Sequence, residues 1–469
     1  MEMNNNIIND TIAAVSTPSG VGGIGIVRLS GPESLAVAGR IFQPNKKSRP
    51  QDWPSHTVHH GYIIDRRAAA REAVIDEVLL TVMRGPKSYT AEDIVEISCH
   101  GGLAVVRTVL NLALDNGARL ARPGEFTQRA FLNGRIDLTQ AEAVQDMIQA
   151  TTESFVRASA HQLKGELTKQ LESIRDQLMT AYAGLEAEVN FPDEGLETRG
   201  LEGLSTQIHA AQRQVEELLA TSEKGRLIKD GVRMVICGTP NVGKSSLLNV
   251  LVQSPRAIVS TVPGTTRDTI EEMIQIDGIP FRLTDTAGVL EPRDIVEQDA
   301  VKRSRAAIDS ADIVCFMLDA GRPVADEDRR LAGMVQGRDV LVVVNKCDLK
   351  KHPDVREVKG LFPDEEAVLI SALKKTGIDQ LTKRAFEKIW GNAKIEPDRL
   401  FLSNLRHIEA LRRSLERIRA ARHSLGQNLS FEFVCEDIRQ AVNELDVITG
   451  RSAGRDVLDR IFSSFCIGK

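Results

Sequence analysis

The pattern of apolar and polar positions divides the chain of 469 residues into three textures. From residue 1 to about 134, short β-like runs alternate with turns. Ile24 to Leu29, Val74 to Met83 and Ile94 to Cys99 are bounded by Gly, Pro, Ser or Asp, and Leu103 to Leu114 reads as a helix. From about Asp137 to Val189 the apolar period becomes helical. Phe191-Pro192-Asp193-Glu194-Gly195 breaks it, and a second helix runs from about Leu201 to Leu219. Strands and helices then alternate from Val232 to about Trp390, which predicts an α/β domain with a mostly parallel sheet. Beyond Pro397 helices return. Leu405, Ile408, Leu411, Leu415, Ile418 and Leu425 give one helix an apolar face.

The stretch after the α/β segment, about 70 residues, is too short to build a generous core alone. The economical arrangement is one helical domain divided in sequence, residues 135–229 with 391–469, and an α/β domain, residues 230–390, inserted into one of its loops. Insertion is tolerated where termini lie close together at a surface. Two separate small bundles are the alternative. Residues 1–134 form a further α/β domain in either case.

Chemistry concentrates in the inserted segment. Gly238-Thr239-Pro240-Asn241-Val242-Gly243-Lys244-Ser245 fits G-x-x-x-x-G-K-[ST] and follows the apolar run Val232 to Cys237. Its glycines let backbone N–H groups turn toward phosphate oxygens, Lys244 reaches the outer phosphates, and the Ser245 hydroxyl can bind Mg²⁺. Alone it predicts only a nucleoside triphosphate. Asp285-Thr286-Ala287-Gly288 follows the run Pro280 to Leu283, where a carboxylate can hold the metal through water. Asn345-Lys346-Cys347-Asp348 follows Val340 to Val344. The two Asp348 oxygens can accept both N–H donors on the edge of guanine, which adenine does not present. The three motifs in this order predict a Ras-like P-loop GTPase domain.

One part is absent. Ras-type enzymes place a glutamine directly after D-x-x-G to orient water; here Val289 stands there. Glu291, Asp294, Glu297 and Asp299 are the nearby candidates. No arginine finger is evident, yet developing negative charge needs a cation.

Composition narrows the setting. Apolar content of 42% and charged content of 27% are ordinary for a soluble globular chain, and the net charge of −5 makes it no electrostatic magnet for nucleic acid. The first residues lack the basic-then-apolar pattern of a signal peptide, and no apolar run approaches the ~20 residues of a membrane span. The six cysteines are scattered singly, which fits a reducing, cytoplasmic setting.

Several further segments resemble the MnmE (TrmE) family of tRNA-modification GTPases. They are Ser19 to Gly31, Ser88 to Asp93 with His100-Gly101-Gly102, Ala121 to Thr127 with Phe131 to Gly134, Gly264-Thr265-Thr266-Arg267-Asp268 as a first switch, and the closing Cys466-Ile467-Gly468-Lys469. The resemblance covers essentially the whole chain. It implies a K⁺-dependent GTP hydrolase whose N-terminal α/β domain binds a tetrahydrofolate, the 5-formyl form or a relative. It implies a homodimer that joins a flavoprotein, MnmG (GidA), in a heterotetramer or larger complex. That complex would add an aminomethyl or carboxymethylaminomethyl group to the wobble uridine of tRNA. It also implies the insertion already described.

By the same resemblance, K⁺ is held by the Asn241 side chain with backbone oxygens of Ser260, Val262 and Thr265, and Mg²⁺ by Ser245 and Thr266. The implied GTP contacts are Asn241, Val242, Gly243, Lys244, Ser245 and Ser246, then Ser260, Thr261, Val262, Pro263, Gly264, Thr265 and Thr266. Asp285, Thr286, Ala287 and Gly288, then Asn345, Lys346 and Asp348, then Ser371, Ala372 and Leu373 complete them. Glu297 matches the water-orienting glutamate. Arg28, Glu96, Arg135 and Lys469 match folate ligands. A carboxylate such as Glu96 can accept adjacent pterin N–H donors, and the glutamyl tail needs cations. Arg135 stands where lysine is usual, so charge is kept and geometry changes. Ser260 and Pro263 also depart from the common pattern, and the proline would stiffen the K⁺ loop.

Cys466 is a nucleophile by resemblance, or a chance cysteine; Gly468 and Lys469 fit a prenylation box poorly. The arginines Arg406, Arg412, Arg413, Arg417, Arg419 and Arg422 could touch tRNA phosphates or form a solvated helix face. Two other classes stay open: a ribosome-assembly GTPase, though no RNA-binding G-x-x-G module follows residue 390, and a helical scaffold that keeps nucleotide as a structural ligand.

Overall fold

The computed structural model describes residues 10–45, 49–67, 73–190, 198–254, 271–285, 305–349, 355–391, 400–427 and 429–469. The chain divides into two compact units: residues 1–145 with 162–204 and 420–469, and residues 146–161 with 205–419.

The first unit holds a seven-stranded sheet. Its strands are β1 (Ile12–Val15), β2 (Ile24–Ser30), β3 (Phe42–Pro44), β4 (Thr57–Asp65), β5 (Ala73–Met83), β6 (Ile94–His100) and β7 (Arg119–Leu120), in the order β3-β4-β5-β6-β2-β1-β7. Neighbours are antiparallel except β1 and β7. Alternation sorts the side chains. Val95, Ile97 and Cys99 of β6, with Val27 and Leu29 of β2, enter a core shared with helices Ser34–Ile41 and Leu103–Asp115. Arg28 and Glu96 face the other way and are register partners. β6 lies between β5 and β2, so Glu96 is not on a sheet edge.

Helices Glu166–Asn190 and Phe431–Thr449 pack together in the same unit. Leu167, Leu171, Ile174, Leu178, Ala181 and Leu185 repeat every three or four residues on the first, and Arg175 Nε meets Asp446 Oδ1 of the second at 2.9 Å. The break over Phe191 to Gly195 lies outside the described residues.

A buried charge cluster anchors helix Glu125–Leu132. Arg129 and Glu125 have side chains only 3% and 1% exposed. Arg129 meets Asp10 at 2.5 Å and Glu92 at 3.2 Å, and Arg119 meets Glu125 at 2.6 Å. Burial pushes the Glu125 carboxyl up, but the Arg119 guanidinium and the Arg122 backbone N–H outweigh it and leave it below its ordinary range. Just before this helix, Gly124 sits at φ +67°, and a Cβ there would lie 2.4 Å from the Phe462 carbonyl oxygen. That close approach lets the last residues of the chain dock. Gly124 N–H donates to the Cys466 carbonyl at 3.4 Å and Phe126 N–H to the Lys469 oxygen at 3.2 Å.

The second unit holds β8 (Val232–Gly238), β9 (Glu271–Ile276), β10 (Ile279–Asp285), β11 (Ile313–Asp319), β12 (Val340–Asn345) and β13 (Val368–Leu369), in the order β13-β12-β11-β8-β10-β9. Neighbours are parallel except β9 and β10. Both faces are covered, which is why β11 and β12 read as continuous apolar runs. Val232, Met234 and Ile236 join one core, Val235 and Cys237 the other. β8 comes first in sequence yet lies mid-sheet. The order reverses beside it, and ligands of such sheets bind at the strand ends there.

Helix Leu405–Gly426 buries Ile408, Leu411, Leu415 and Ile418 as its spacing predicts. Leu405 does not follow: it is 65% exposed. Helical side chains lean toward the N-terminus, so a side chain on the first residue overhangs the helix start.

Glu125→Gln keeps the shape of the carboxyl but leaves Arg129 and Arg119 undercompensated. Thermal or urea denaturation at pH 7 should show a loss of about 3 kcal/mol. Because the folded carboxyl is depressed below the ordinary value of 4.5, its contribution is present above that pH. It disappears as pH falls through the lower folded value, so wild type and variant should converge in acid.

Candidate active site

The phosphate loop joins β8 to helix Lys244–Val252. Asn241 and Gly243 take left-handed backbone conformations, φ +65° and +103°, which turn successive N–H groups inward as an anion-binding concavity. Only glycine fits at 243, because the Asn345 amide nitrogen would lie 2.3 Å from an added Cβ. Val242 is buried, while Asn241, Ser245 and Ser246 are exposed. Lys244 Nζ lies 2.9 and 3.1 Å from the carbonyls of Gly238 and Thr239. Burial lowers the pKa of this lysine, with nearby Asp285 opposing, so an anion delivered here meets a poorly solvated ammonium.

Asp285, at the end of β10, accepts a hydrogen bond from Ser245 Oγ at 2.8 Å. Its other oxygen, Oδ1, is buried and has no hydrogen-bond partner among the described residues. A hydroxyl beside a carboxylate with one unused oxygen is an all-oxygen donor set, which fits Mg²⁺ and its waters.

At the end of β12, Asn345 Nδ2 donates to the Val242 carbonyl at 2.9 Å and Oδ1 accepts from Ala372 N–H at 2.9 Å. One amide thus ties the phosphate loop to the segment after β13. Ser371 Oγ donates to Asp348 Oδ1 at 2.6 Å and accepts from Lys374 N–H at 3.1 Å. The Ser371 bond holds the Asp348 carboxyl below its usual range. Asp348 is therefore an ionised, oriented acceptor. Lys346, at φ +65°, pairs with Asp319, and Leu373 is 83% exposed.

The K⁺ candidates Ser260, Val262 and Thr265, with Thr261, Pro263, Gly264 and Thr266, lie outside the described residues. So do Thr286, Ala287, Gly288 and the water-orienting candidate Glu297. Of the K⁺ set, only Asn241 can be placed, with its exposed side chain on the phosphate loop.

In the other unit, Arg28 and Arg135 share one ring, Tyr89, while Glu96 and Lys469 lie near Arg28. Arg28 and Arg135 stand over the ring at 5.4 and 5.1 Å. Arg135 also donates to the Tyr89 carbonyl at 3.0 Å. Arg28 Nε donates to Glu96 Oε1 at 2.8 Å, and Nη2 lies 2.7 Å from the same oxygen. The chain end lies against this pair: Ser16 Oγ and Arg28 Nη1 donate to the Gly468 carbonyl at 3.1 and 3.5 Å. Burial, then the charge of Arg28, lower the Lys469 pKa, partly offset by Glu96. Two guanidinia and a crowded ammonium beside a carboxylate fit a flat heterocycle with N–H donors and an anionic tail. Cys466 is exposed on the same tail. Tyr89 lies within the segment Ser88 to Asp93, but nothing in its local sequence marks its ring as a platform. On helix Leu405–Gly426, Arg412, Arg413, Arg417 and Arg419 are exposed, and Arg419 pairs with Glu216 at 2.8 Å.

The family model for the MnmE helical domain matches residues 138–466, and that for the GTP-binding protein TrmE N-terminus matches residues 11–135. The tRNA modification GTPase MnmE of Desulforamulus reducens is 40% identical over 99% of this chain and 100% of its own length. Its namesakes in Geobacillus thermodenitrificans and Bacillus pumilus are each 42% identical over 98% of this chain, covering 99% and 100% of their lengths. The chain belongs to the MnmE family of tRNA modification GTPases. Its three nucleotide motifs are thus those of a family GTPase domain, carried on a sheet of the doubly wound kind.

Asp348→Asn removes the charge of the expected guanine acceptor. Equilibrium binding of a fluorescent GTP analogue should weaken by at least about 10-fold, the scale of a lost charge-assisted hydrogen bond. Turnover at saturating GTP should persist, since Asp348 contacts no reacting atom.

Proposed function

We propose that the chain is a K⁺-dependent GTP hydrolase that acts with an MnmG-type flavoprotein. Together they install an aminomethyl or carboxymethylaminomethyl group on the wobble uridine of tRNA, and hydrolysis drives a conformational change. The observation that carries this reading is the Asn345 bridge. It assembles phosphate loop and base-recognition segment in a chain aligned nearly end to end with tRNA modification GTPases. The homodimer, the complex with the flavoprotein and the split helical domain around residues 230–390 belong to the same proposal. The span of the helical-domain match, residues 138–466, supports the split.

Within the nucleotide site, inward N–H groups and Lys244 bind the phosphates, and Asp348 selects guanine. Mg²⁺ held by Ser245 and Thr266 would neutralise charge on the outer phosphates. With Val289 after the D-x-x-G motif, Glu297 takes the task of orienting the attacking water. K⁺ at Asn241, with backbone oxygens of Ser260, Val262 and Thr265, would supply the positive charge that an arginine supplies elsewhere. In the other unit a tetrahydrofolate would supply the one-carbon unit. Glu96 would accept pterin N–H groups, Arg28 and Arg135 would flank the ring system, and Lys469 would meet the glutamyl carboxylates.

Hydrolysis should be well over about 10-fold faster in KCl than in NaCl at matched ionic strength, since an arginine finger contributes roughly 10³–10⁵ in rate. In the same assay, Glu297→Ala should lower turnover by about 10²-fold at unchanged GTP affinity. Equal rates in the two salts would remove K⁺ from the mechanism.

Deleting Cys466 to Lys469 should weaken tetrahydrofolate binding, read by calorimetry, and abolish tRNA modification in a reaction reconstituted with the flavoprotein. K⁺-stimulated GTP hydrolysis should survive. Cys466→Ser removes the thiol with little change in volume. Full modification by that variant would rule out Cys466 as a nucleophile.

A further inference from the structure

After β11 the chain turns through Asp319-Ala320-Gly321-Arg322, a segment that none of the nucleotide motifs includes. Its two charged side chains reach opposite halves of the nucleotide site. Asp319 Oδ2 accepts from Lys346 Nζ at 2.6 Å and Oδ1 from Gly321 N–H at 2.8 Å. The Asp319 side chain is only 13% exposed, so this is not a fully solvated surface pair of little consequence. Ala320 N–H donates to the Asn345 carbonyl at 2.8 Å, which fixes the turn to the base-recognition segment by its backbone as well.

Arg322 reaches the other way. Its guanidinium donates to both oxygens of Asp328, at 2.8 and 3.0 Å, and to Thr239 Oγ1 at 2.6 Å. Asp328 is 1% exposed and also accepts from Ala325 N–H at 2.9 Å and from Thr239 Oγ1 at 3.2 Å. Thr239 is the second residue of the phosphate loop, and its carbonyl accepts from Lys244 Nζ. A buried carboxylate, a forked cation and a buried hydroxyl therefore hold the entrance of that loop.

We propose that Asp319 and Arg322 are positioning residues for the nucleotide. The turn after β11 is a brace that aims Lys346 at the base and fixes Thr239 under the phosphates. Base and phosphate contacts are then registered by one segment. A long lysine side chain loses much rotamer freedom when it packs on a ligand, and a prior ion pair removes part of that cost before binding. The Arg322 fork acts likewise on the loop, because a planar guanidinium bonded to two carboxylate oxygens and a hydroxyl has little freedom left. The proposal rests on the guanine-nucleotide reading of the site.

The test uses the full-length chain, with mant-GTP for affinity and steady-state GTP hydrolysis for turnover. Asp319→Asn should raise the mant-GTP Kd by about 10-fold, one charge-assisted hydrogen bond, and leave kcat unchanged. A base contact is equal in ground and transition states, so its loss appears in KM alone. The double variant Asp319→Asn/Lys346→Met should bind no worse than Lys346→Met. Arg322→Met should lower kcat as well as affinity, because the phosphates change charge during reaction, and should add nothing to Thr239→Val. If Arg322→Met does not fold, Arg322→Lys keeps the charge without the fork and should show the same kcat loss. Additive losses in either double variant, or single variants that behave as wild type, would overturn the brace. A wild-type chain that fails to bind mant-GTP would instead overturn the guanine-nucleotide reading beneath it.

Discussion

The nucleotide domain depends on one side-chain amide. Asn345 donates to the phosphate loop and accepts from the segment after β13, so three stretches far apart in sequence share a single planar group. That geometry forces glycine at 243, where any Cβ would collide with the amide. It also sets where Asp348 and Ser371 stand, since both lie within a few residues of its anchor points. The amide can act this way only because parallel strands bring their C-terminal ends to one edge of the sheet, with β8 at the reversal of strand order.

The other unit solves a different problem. Its sheet covers one face with helices and leaves Arg28 and Glu96 on the opposite face, where alternation puts them side by side. The chain end is brought to that face by a left-handed glycine and a close backbone contact, and held by hydrogen bonds from Ser16 and Arg28. Beneath the same region lies the paired cluster of Arg129, Glu125, Asp10 and Glu92. The buried charges of Arg129 and Glu125 are tolerable there because each is paired, and removing one leaves its partner undercompensated.

The two units use charge in contrasting ways. In the first, positive groups crowd together: burial and Arg28 weaken the ammonium of Lys469. In the second, burial weakens the ammonium of Lys244 at the phosphate loop. Each buried ammonium is poorly solvated, which is the physical argument for the proposed glutamyl carboxylates at one and phosphates at the other.

Much of this was legible in the sequence, for identifiable reasons. An apolar period of two fixes β6, an unbroken apolar run fixes β12, and a period of three to four fixes the long helices, because burial on one face or both leaves a direct trace in residue order. Phosphate chemistry is legible because a short loop must supply glycines, a lysine and a hydroxyl at fixed spacing. Partnerships across long sequence distances left no such trace. Nothing near Tyr89 announced that two arginines would stack on it. Nothing near Asp319, Arg322 or Asp328 announced a brace on Thr239 and Lys346. Leu405 fitted its helical stripe and still emerged exposed. The sequence by itself determined which elements form and which motif binds phosphate, since those follow from local spacing. Tertiary structure alone decided which side chains meet, because strand order and register bring together residues that the chain keeps hundreds of positions apart.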